Sequence, residues 1–168
     1  MIKWIGAVLI VAGCGGMGFI RACAYRMEER MLEELGMALE YMSCELSYQM
    51  TPLPQLCRKT ANLLRGRLKP VFLSMAEELD RQVAPDAPSC MGAVLAGEQL
   101  PDSVRKILAR LGSGMGCFDL PGQIRGIEGC AEQTQSVRQE LVDHRQDRIR
   151  SYQTLGLCAG AALAILLL

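Results

Sequence analysis

The sequence has little of what enzymes and nucleic-acid-binding proteins most often use. Histidine occurs once, at His144, and the aromatic residues are limited to 3 Phe, 4 Tyr and 1 Trp. One histidine is a weak basis for a His-ligated metal site or a catalytic pair, and so few rings do not form a base-stacking surface. The 18 basic and 18 acidic residues balance, so nucleic-acid binding has no excess of positive charge to rely on. We therefore expect no catalytic centre, cofactor, metal ion or nucleic-acid partner.

The sequence does contain two long uncharged runs, one near each end. Residues 4–20 carry no charged side chain, and neither do residues 151–168. As helix, each run would span about 26 Å, close to the thickness of a bilayer core. The first run is apolar on all sides, unlike the amphipathic helix of a soluble core. We predict an N-terminal transmembrane helix in residues 1–20 and a C-terminal transmembrane helix in residues 151–168.

Small residues recur at four-residue intervals inside both runs. They are Ala12 and Gly16 in the first run, and Gly156, Gly160 and Ala164 in the second. In a bilayer, this spacing allows two helices to approach closely. We treat these five residues as candidates for transmembrane helix packing.

The basic residues next to the runs predict the orientation of the chain. Three arginines follow the first run within ten residues, and four precede the second, whereas only Lys3 lies outside. Because basic residues are enriched on the cytoplasmic side, residues 21–150 should face the cytoplasm. Apolar spacing in this segment is helical and β-branched residues are few, so we predict an all-α fold, a helical bundle of about six helices between the two transmembrane helices.

A different interpretation of the first run remains open. Val11-Ala12-Gly13-Cys14 has the small-small-Cys form of a lipidation site, which would make the chain an exported lipoprotein lipidated at Cys14. A cleaved secretory signal is a related alternative. Against cleavage, only Lys3 precedes the run, and the run continues six residues beyond Cys14.

The 8 cysteines contain no CxxC pair, which argues against a zinc site. In the cytoplasm they would stay reduced and behave as small hydrophobic residues. A thiol-based redox enzyme would instead need a cysteine of low pKa near a base or a helix start. Cys57 and Cys90 are the candidates for that alternative.

The apolar spacing and the turn residues predict where the helices of the bundle begin and end. The first helix should extend to about Gln49. Its inward residues should be Met31, Leu35, Leu39, Met42 and Leu46. Its glutamates, including Glu45, should lie mostly on other faces. Thr51 should cap a second helix near Leu53–Leu64, which Arg65-Gly66-Arg67 breaks. Pro70 should restart a third helix, and residues 83–89 should form a loop. A short helix should follow near residues 90–96, and another should begin at Pro101-Asp102. The inward residues of that last short helix should be Val104, Ile107, Leu108 and Leu111.

Residues 111–119 form a glycine-rich corner. No Lys-Ser/Thr pair follows its last glycine, so it does not fit a phosphate-binding loop. We predict a helix–helix corner in which glycine permits close packing and positive φ, and in which Asp119 caps the last helix. That helix should run unbroken to Arg150 and into the second uncharged run, with its inner face formed by Ile124, Ile127, Ala131, Val137, Leu141 and Ile149.

Several stretches, in this order along the chain, carry a resemblance to a known family. They are Lys3…Gly6-Ala7-Val8-Leu9-Ile10-Val11, then Leu35…Ala38-Leu39…Glu45-Leu46-Ser47-Tyr48 with Thr51-Pro52-Leu53, then Leu111-Gly112…Gly116…Asp119…Gln123…Ile127, and finally Tyr152-Gln153-Thr154-Leu155-Gly156-Leu157. Over essentially its whole length the chain resembles the stage III sporulation protein AB family of endospore-forming bacteria.

The resemblance implies a non-enzymatic membrane platform subunit of the channel complex that joins mother cell and forespore. Its bundle would be similar to the cytoplasmic domain of the type II secretion inner-membrane platform protein, and would dock a secretion-type ATPase. It would lie on the mother-cell side of the outer forespore membrane, among other channel subunits and as a candidate homo-oligomer. Gly112, Gly116, Asp119 and Gln123 match the family's corner, so we expect them to shape the bundle and its docking face. The many Cys and Met residues and Pro121 depart from the family pattern.

Overall fold

A computed structural model describes the backbone of residues 2–81, 86–115 and 119–167, and the side chains of residues 23–81, 86–115 and 119–143. Within these ranges the regular structure consists of six helices and no strand, which confirms the all-α prediction. The helices are α1 (Ile2–Gln49), α2 (Leu53–Leu63), α3 (Leu68–Arg81), α4 (Ala87–Gly97), α5 (Asp102–Gly114) and α6 (Leu120–Leu167). The chain divides into two compact units: Arg30–Arg138 is one, and Met1–Glu29 with Gln139–Leu168 is the other.

In the unit Arg30–Arg138, successive short helices pack against one another. α2 packs on α3, α3 on α4, and α4 on α5. The long helices α1 and α6 lie antiparallel: the Ser43 hydroxyl donates to the Glu128 carboxylate at 3.3 Å, and the Gln135 amide donates to the Glu40 carboxylate at 3.4 Å. The bundle therefore consists of four short helices in chain order and one long antiparallel pair.

The core contains the helix faces that the apolar spacing predicts. All five inward residues predicted for α1 and all four predicted for α5 are buried. Burying one leucine contributes about 1.5 to 3 kcal/mol, so these two faces account for a large share of the hydrophobic stabilisation. The largest buried partners from the other short helices are Leu56, Leu68, Phe72, Met75 and Met91.

Two helix starts differ from the prediction. Thr51 does not cap α2, because its hydroxyl donates to the Glu45 carboxylate at 3.1 Å. α4 begins at Ala87, inside the predicted loop, because the Asp86 carboxylate accepts a hydrogen bond from the Ser89 N–H at 3.3 Å and caps the helix. Residues 82–85 of that loop lie outside the described residues.

The predicted break after α2 is confirmed. Gly66 has a φ of 75°, a left-handed conformation that glycine adopts without a steric cost, and α3 begins at Leu68, two residues before Pro70. Met50, directly after α1, has a φ of 48°. This conformation turns the chain out of the helix before Pro52.

The last helix runs unbroken, as predicted, but its inner face is partly different. Ile127 is buried as expected, and Cys130 and Thr134 are buried beside it. The other predicted inner residues within the described range are only half-buried, and Ile149 lies beyond the described side chains. The Thr134 hydroxyl donates to the Cys130 carbonyl at 2.7 Å, and this hydrogen bond offsets the free-energy cost of burying the hydroxyl.

The backbone of both uncharged runs belongs to the outer ends of α1 and α6. Their side chains, including the candidate packing residues Ala12, Gly16, Gly156, Gly160 and Ala164, lie outside the described residues. Within the described residues, no helix has both the length and the apolar character of a membrane span. The two transmembrane helices are therefore unsupported by the structure and stay predictions.

Candidate functional site

The predicted docking corner lies between the end of α5 and the start of α6. α5 closes where the buried Met115 N–H donates to the carbonyls of Leu111 at 3.1 Å and Gly112 at 3.3 Å. α6 opens with the Gln123 N–H donating to the Asp119 carbonyl at 2.9 Å. Both sides of the corner are thus fixed by backbone hydrogen bonds. Gly116 lies outside the described residues.

Gly112 points into the bundle rather than onto its surface. A Cβ added to Gly112 would lie 2.5 Å from the Cβ and 2.8 Å from the Cγ of Met91 on α4. The contact is with a side chain of α4, not between α5 and α6, where the close packing was predicted. Positive φ is not found at Gly112 or Gly114, so that part of the prediction is wrong for these two positions.

Asp119 and Gln123 form the surface part of the corner. Asp119 is exposed at the start of α6, and Gln123 lies one turn later and is half-buried. A carboxylate before the first turn of a helix is favoured by the positive end of the helix dipole. Of the four predicted residues, Gly112 therefore lies in the core, Asp119 and Gln123 lie at the surface, and Gly116 is outside the described residues.

The close approach predicted for the corner is found at a second glycine, Gly114, opposite Gly126. A Cβ on Gly114 would lie 4.0 Å from the Cα of Gly126, so the end of α5 passes close to the first turns of α6. Further along, the Arg110 guanidinium donates to the Gln133 amide oxygen at 2.8 Å. Gly126 is a poor helix former within α6, and it allows the approach of α5.

Sequence reasoning also missed a polar cluster at the same end of α1. Glu45 is buried, although the spacing assigned it to an outer face. Its carboxylate accepts hydrogen bonds from the Thr51 hydroxyl at 3.1 Å and from the Lys59 ammonium group. Lys59 also donates to the Gln49 amide oxygen at 3.3 Å. One carboxylate thereby joins α1, the turn after it, and α2.

The electrostatics of this cluster keep Glu45 ionised. The hydrogen bond from Lys59 lowers the pKa of Glu45 below its usual value, and the hydroxyls of Thr51 and Tyr41 add to the effect, while burial opposes it. The same bond raises the pKa of Lys59. A carboxylate with a lowered pKa is a poor proton donor at neutral pH, so the arrangement fits a structural ion pair better than acid catalysis.

The buried cysteines have the opposite of the properties that a redox enzyme needs. Burial raises the pKa of the Cys57 thiol to about 12 and also raises the pKa values of Cys90 and Cys130. A reactive thiolate requires a lowered pKa and access to solvent. Within the described residues, no three His, Cys, Asp or Glu side chains are grouped so that they could hold a metal ion.

Comparison with known proteins agrees with the resemblance seen in the sequence. A family model described as stage III sporulation protein AB matches residues 3–168. Stage III sporulation protein AB of Bacillus subtilis (strain 168) is 25% identical over 178 residues, covering 100% of both chains. A solved structure of stage III sporulation protein AB shares the fold, with a TM-score of 0.63 and 19% identity, and covers 72% of this chain and 98% of that one. The chain belongs to the stage III sporulation protein AB family.

Proposed function

We propose that this chain is a non-enzymatic platform subunit of the sporulation channel complex, held in the membrane by residues 1–20 and 151–168, with its bundle in the cytoplasm. The observation that carries the proposal is the match of the family model to residues 3–168, which include both uncharged runs and the bundle. The raised pKa values of the buried thiols favour a structural protein over a redox enzyme.

The arrangement of the chain ends supports membrane attachment at one place. Residues Met1–Glu29 and Gln139–Leu168 form one compact unit, so the two uncharged runs belong to the same part of the molecule. Each run is close to the length that a bilayer core requires. Two such helices side by side would hold the bundle at the same membrane surface.

The docking of a secretion-type ATPase is proposed for the surface part of the corner. Asp119 is exposed, and its carbonyl accepts the Gln123 N–H that opens α6. An exposed carboxylate suits recognition of a basic partner surface, because complementary charge steers association and fixes its register.

Membrane topology is the first test. Cys57 and Cys90 are buried and would react slowly in any compartment, so an introduced cysteine at the exposed Asn62 (Asn62→Cys) is the better reporter. In sealed cells a membrane-impermeant maleimide should leave position 62 unlabelled, and permeabilisation should make it react. Labelling in sealed cells would overturn the cytoplasmic placement.

Partner docking is tested by Asp119→Ala in a pull-down with the secretion-type ATPase of the channel. The bound fraction should fall while the helical circular dichroism signal is unchanged. Asp102→Ala is the matched control, because Asp102 is also an exposed acid at the start of a helix, α5. Equal losses for the two variants would argue against the corner, and nucleotide hydrolysis by the purified chain alone would contradict the non-enzymatic role.

The lipoprotein alternative is separated by the mass of the purified chain. Lipidation at Cys14 would remove residues 1–13 and add acyl chains to the new N-terminus. The platform proposal expects the unprocessed mass. Intact-mass spectrometry of protein extracted from membranes distinguishes the two.

A further inference from the structure

The turn between α2 and α3 carries an excess of positive charge. Residues 46–76 contain five basic and no acidic side chains. Arg58 forms an ion pair with Asp80, and Lys59 forms one with Glu45. The other three basic residues lie at the turn, are exposed, and form no ion pair within the described part of the chain: Arg65, Arg67 and Lys69.

The turn between α4 and α5 adds further basic groups at the same place. The Arg67 guanidinium donates to the Gln99 carbonyl at 3.1 Å, and the Arg105 guanidinium donates to the Glu98 carbonyl at 2.9 Å. Because the two acceptors are consecutive residues, the two guanidinium groups lie close together, and each keeps N–H donors for an external acceptor. Lys106 is exposed next to Arg105. We define the basic end as Arg65, Arg67, Lys69, Arg105 and Lys106.

Acidic groups near the basic end offset only part of its charge. A Cβ added to Gly66 would lie 4.0 Å from the Glu34 carboxylate, and Glu98 and Asp102 belong to the α4–α5 turn. Three carboxylates therefore lie near five basic side chains, and an excess of positive charge remains.

An exposed apolar side chain lies directly before the basic turn. Leu63 is the last residue of α2 and is 58% exposed. Surfaces that bind anionic bilayers combine basic residues with apolar side chains, because charge attraction and apolar burial in the interface both contribute to binding. Leu63 and the basic end together have this composition.

The basic end lies where the chain enters and leaves the unit Arg30–Arg138. Glu34, next to the turn, lies one helical turn after Arg30, the first residue of the unit. α6 is antiparallel to α1 and leaves the unit at Arg138, at the same end. From these two points α1 and α6 continue to the uncharged runs. Tyr48 and the start of α6 belong to the opposite end of the unit.

We propose that Leu63 and the basic end contact the headgroups of anionic lipids in the membrane that anchors the chain. This contact rests on the proposed function, because the anchoring brings a bilayer to the end of the unit from which both long helices continue. Guanidinium groups donate two hydrogen bonds to one phosphate, and lysines are attracted by the negative surface potential. Because the basic side chains are spread over two turns, they suit a surface of many phosphates better than a single acidic segment of a protein.

The test uses one tryptophan as a reporter in the full chain reconstituted in liposomes. The sequence has a single tryptophan, Trp4, so Trp4→Phe provides a background in which Leu63→Trp reports lipid contact alone. Phosphatidylcholine brominated in the upper part of its acyl chains quenches a tryptophan that touches the interface. Quenching at position 63 should require added phosphatidylglycerol and should be lost in about 1 M salt, where the Debye length falls to about 3 Å. Quenching that is absent, or equal with and without phosphatidylglycerol, would overturn the proposal.

Tyr48→Trp in the same background is the matched reporter at the opposite end. Tyr48 is 84% exposed, so a tryptophan there is accessible to any lipid that reaches it. It should not be quenched under the conditions that quench position 63. Equal quenching at the two positions would show that the basic end has no preference for lipid and would overturn the proposal.

A second matched pair tests the charges. Lys69 and Arg81 are both exposed and lie at the two ends of α3. In the Leu63→Trp background, Lys69→Gln should lower the ratio of lipid-bound to free bundle about fivefold, the effect of one basic residue at an anionic surface, whereas Arg81→Gln should leave it within about twofold. Equal effects of Lys69→Gln and Arg81→Gln would contradict the proposal, and circular dichroism verifies that both variants fold.

Alkaline carbonate extraction of the same liposomes tests the anchoring separately. Chain that stays in the membrane but shows no quenching at position 63 would reject the lipid contact and leave the anchoring intact. Chain that carbonate releases, but that is quenched at position 63 before extraction, would reject the anchoring while supporting the lipid contact.

Discussion

Gly112 on α5 faces Met91 on α4 with no room for a side chain between them, since a Cβ on Gly112 would lie 2.5 Å from the Cβ of Met91. The atoms of Met91 involved are the first two of its side chain, which cannot move away without a shift of α4. The glycine that the sequence placed in a docking corner thus sets the distance between two helices of the core. Its effect on partner binding would be indirect.

Gly112→Ala should destabilise the bundle by about 1 to 3 kcal/mol, the range for overpacking a well-packed core. Gly92→Ala is the control, because a Cβ at Gly92 would meet nothing within 4 Å. Alanine in place of an exposed helical glycine should stabilise α4 by about 0.5 to 1 kcal/mol. Urea unfolding of the two variants in detergent should therefore give shifts of opposite sign. An unchanged midpoint for Gly112→Ala would contradict the close contact.

Glu45→Gln should destabilise the protein at neutral pH and remove part of its pH dependence. The pKa of Glu45 is lower in the folded chain, so its contribution is present above the unfolded pKa, near 4.5, and is lost as the pH falls through the folded pKa. Thermal melts from pH 7 to pH 3 should show parent and variant converging at the acid end. The raised pKa of Lys59 adds stability that is lost only as the pH rises through a folded pKa above 10.5, outside this range.

Glu77→Gln is the control for that experiment, because Glu77 is exposed and its contact with Arg81 is a 3.9 Å pair on the surface of α3. Exposed pairs of this kind contribute little. Its melts should follow the parent at every pH. A constant difference between Glu45→Gln and the parent at all pH values would show that the carboxylate is not ionised in the fold.

Cys57 should be nearly inert towards maleimide at pH 8. With a pKa of about 12, its thiolate fraction is at least about a thousandfold lower than that of an ordinary cysteine, and burial slows access further. Cys44, which is exposed, serves as the internal reference. Peptide mass spectrometry after short labelling should find Cys44 modified first, and unfolding in guanidinium should make the two equal. Rapid labelling of Cys57 in the folded chain would revive the redox alternative.

Two adjacent leucines at the end of α2, Leu63 as its last residue and Leu64 directly after it, should respond differently to truncation. Leu64 is 4% exposed and Leu63 is 58% exposed. Leu64→Ala should cost about 2 to 5 kcal/mol, because it leaves a cavity, whereas Leu63→Ala should stay within about 0.5 kcal/mol. Urea unfolding measures both. Similar losses would mean that α2 is rotated relative to the described structure.

The sequence predicts the fold well wherever a single helix face decides the outcome. The inward residues of α1 and α5 follow directly from their spacing, and Gly66 marks a break because few other residues adopt its φ. The burial of a polar side chain was not predicted where its hydrogen-bond partner lies on another helix. Nothing near Glu45 in the sequence reveals that Lys59, 14 residues later, donates to it, so both the burial of Glu45 and the true partner of Thr51 were missed.

The start of α4 was missed although the sequence carried its signal. An aspartate followed two residues later by proline is typical of a helix start, and Asp86 with Pro88 has this form. The docking role of the corner stays a proposal, and the inward position of Gly112 was missed, because spacing alone does not distinguish a glycine that faces Met91 from one at the surface. The burial of Thr134 was also missed, because a threonine is predicted to be buried only once its hydroxyl is known to donate to the Cys130 carbonyl.

The pairing of α1 with α6 has a consequence for the order of synthesis. Ser43 and Glu128 are separated by 85 positions and Glu40 and Gln135 by 95, whereas α2 to α5 each contact a neighbour in the chain. Because domains assemble as the chain leaves the ribosome, α1 can meet α2 and the short helices can join early, but the α1–α6 contacts form only after α6 emerges. A nascent chain halted before that point lacks one long helix of the bundle, so translation arrest in this interval should favour aggregation.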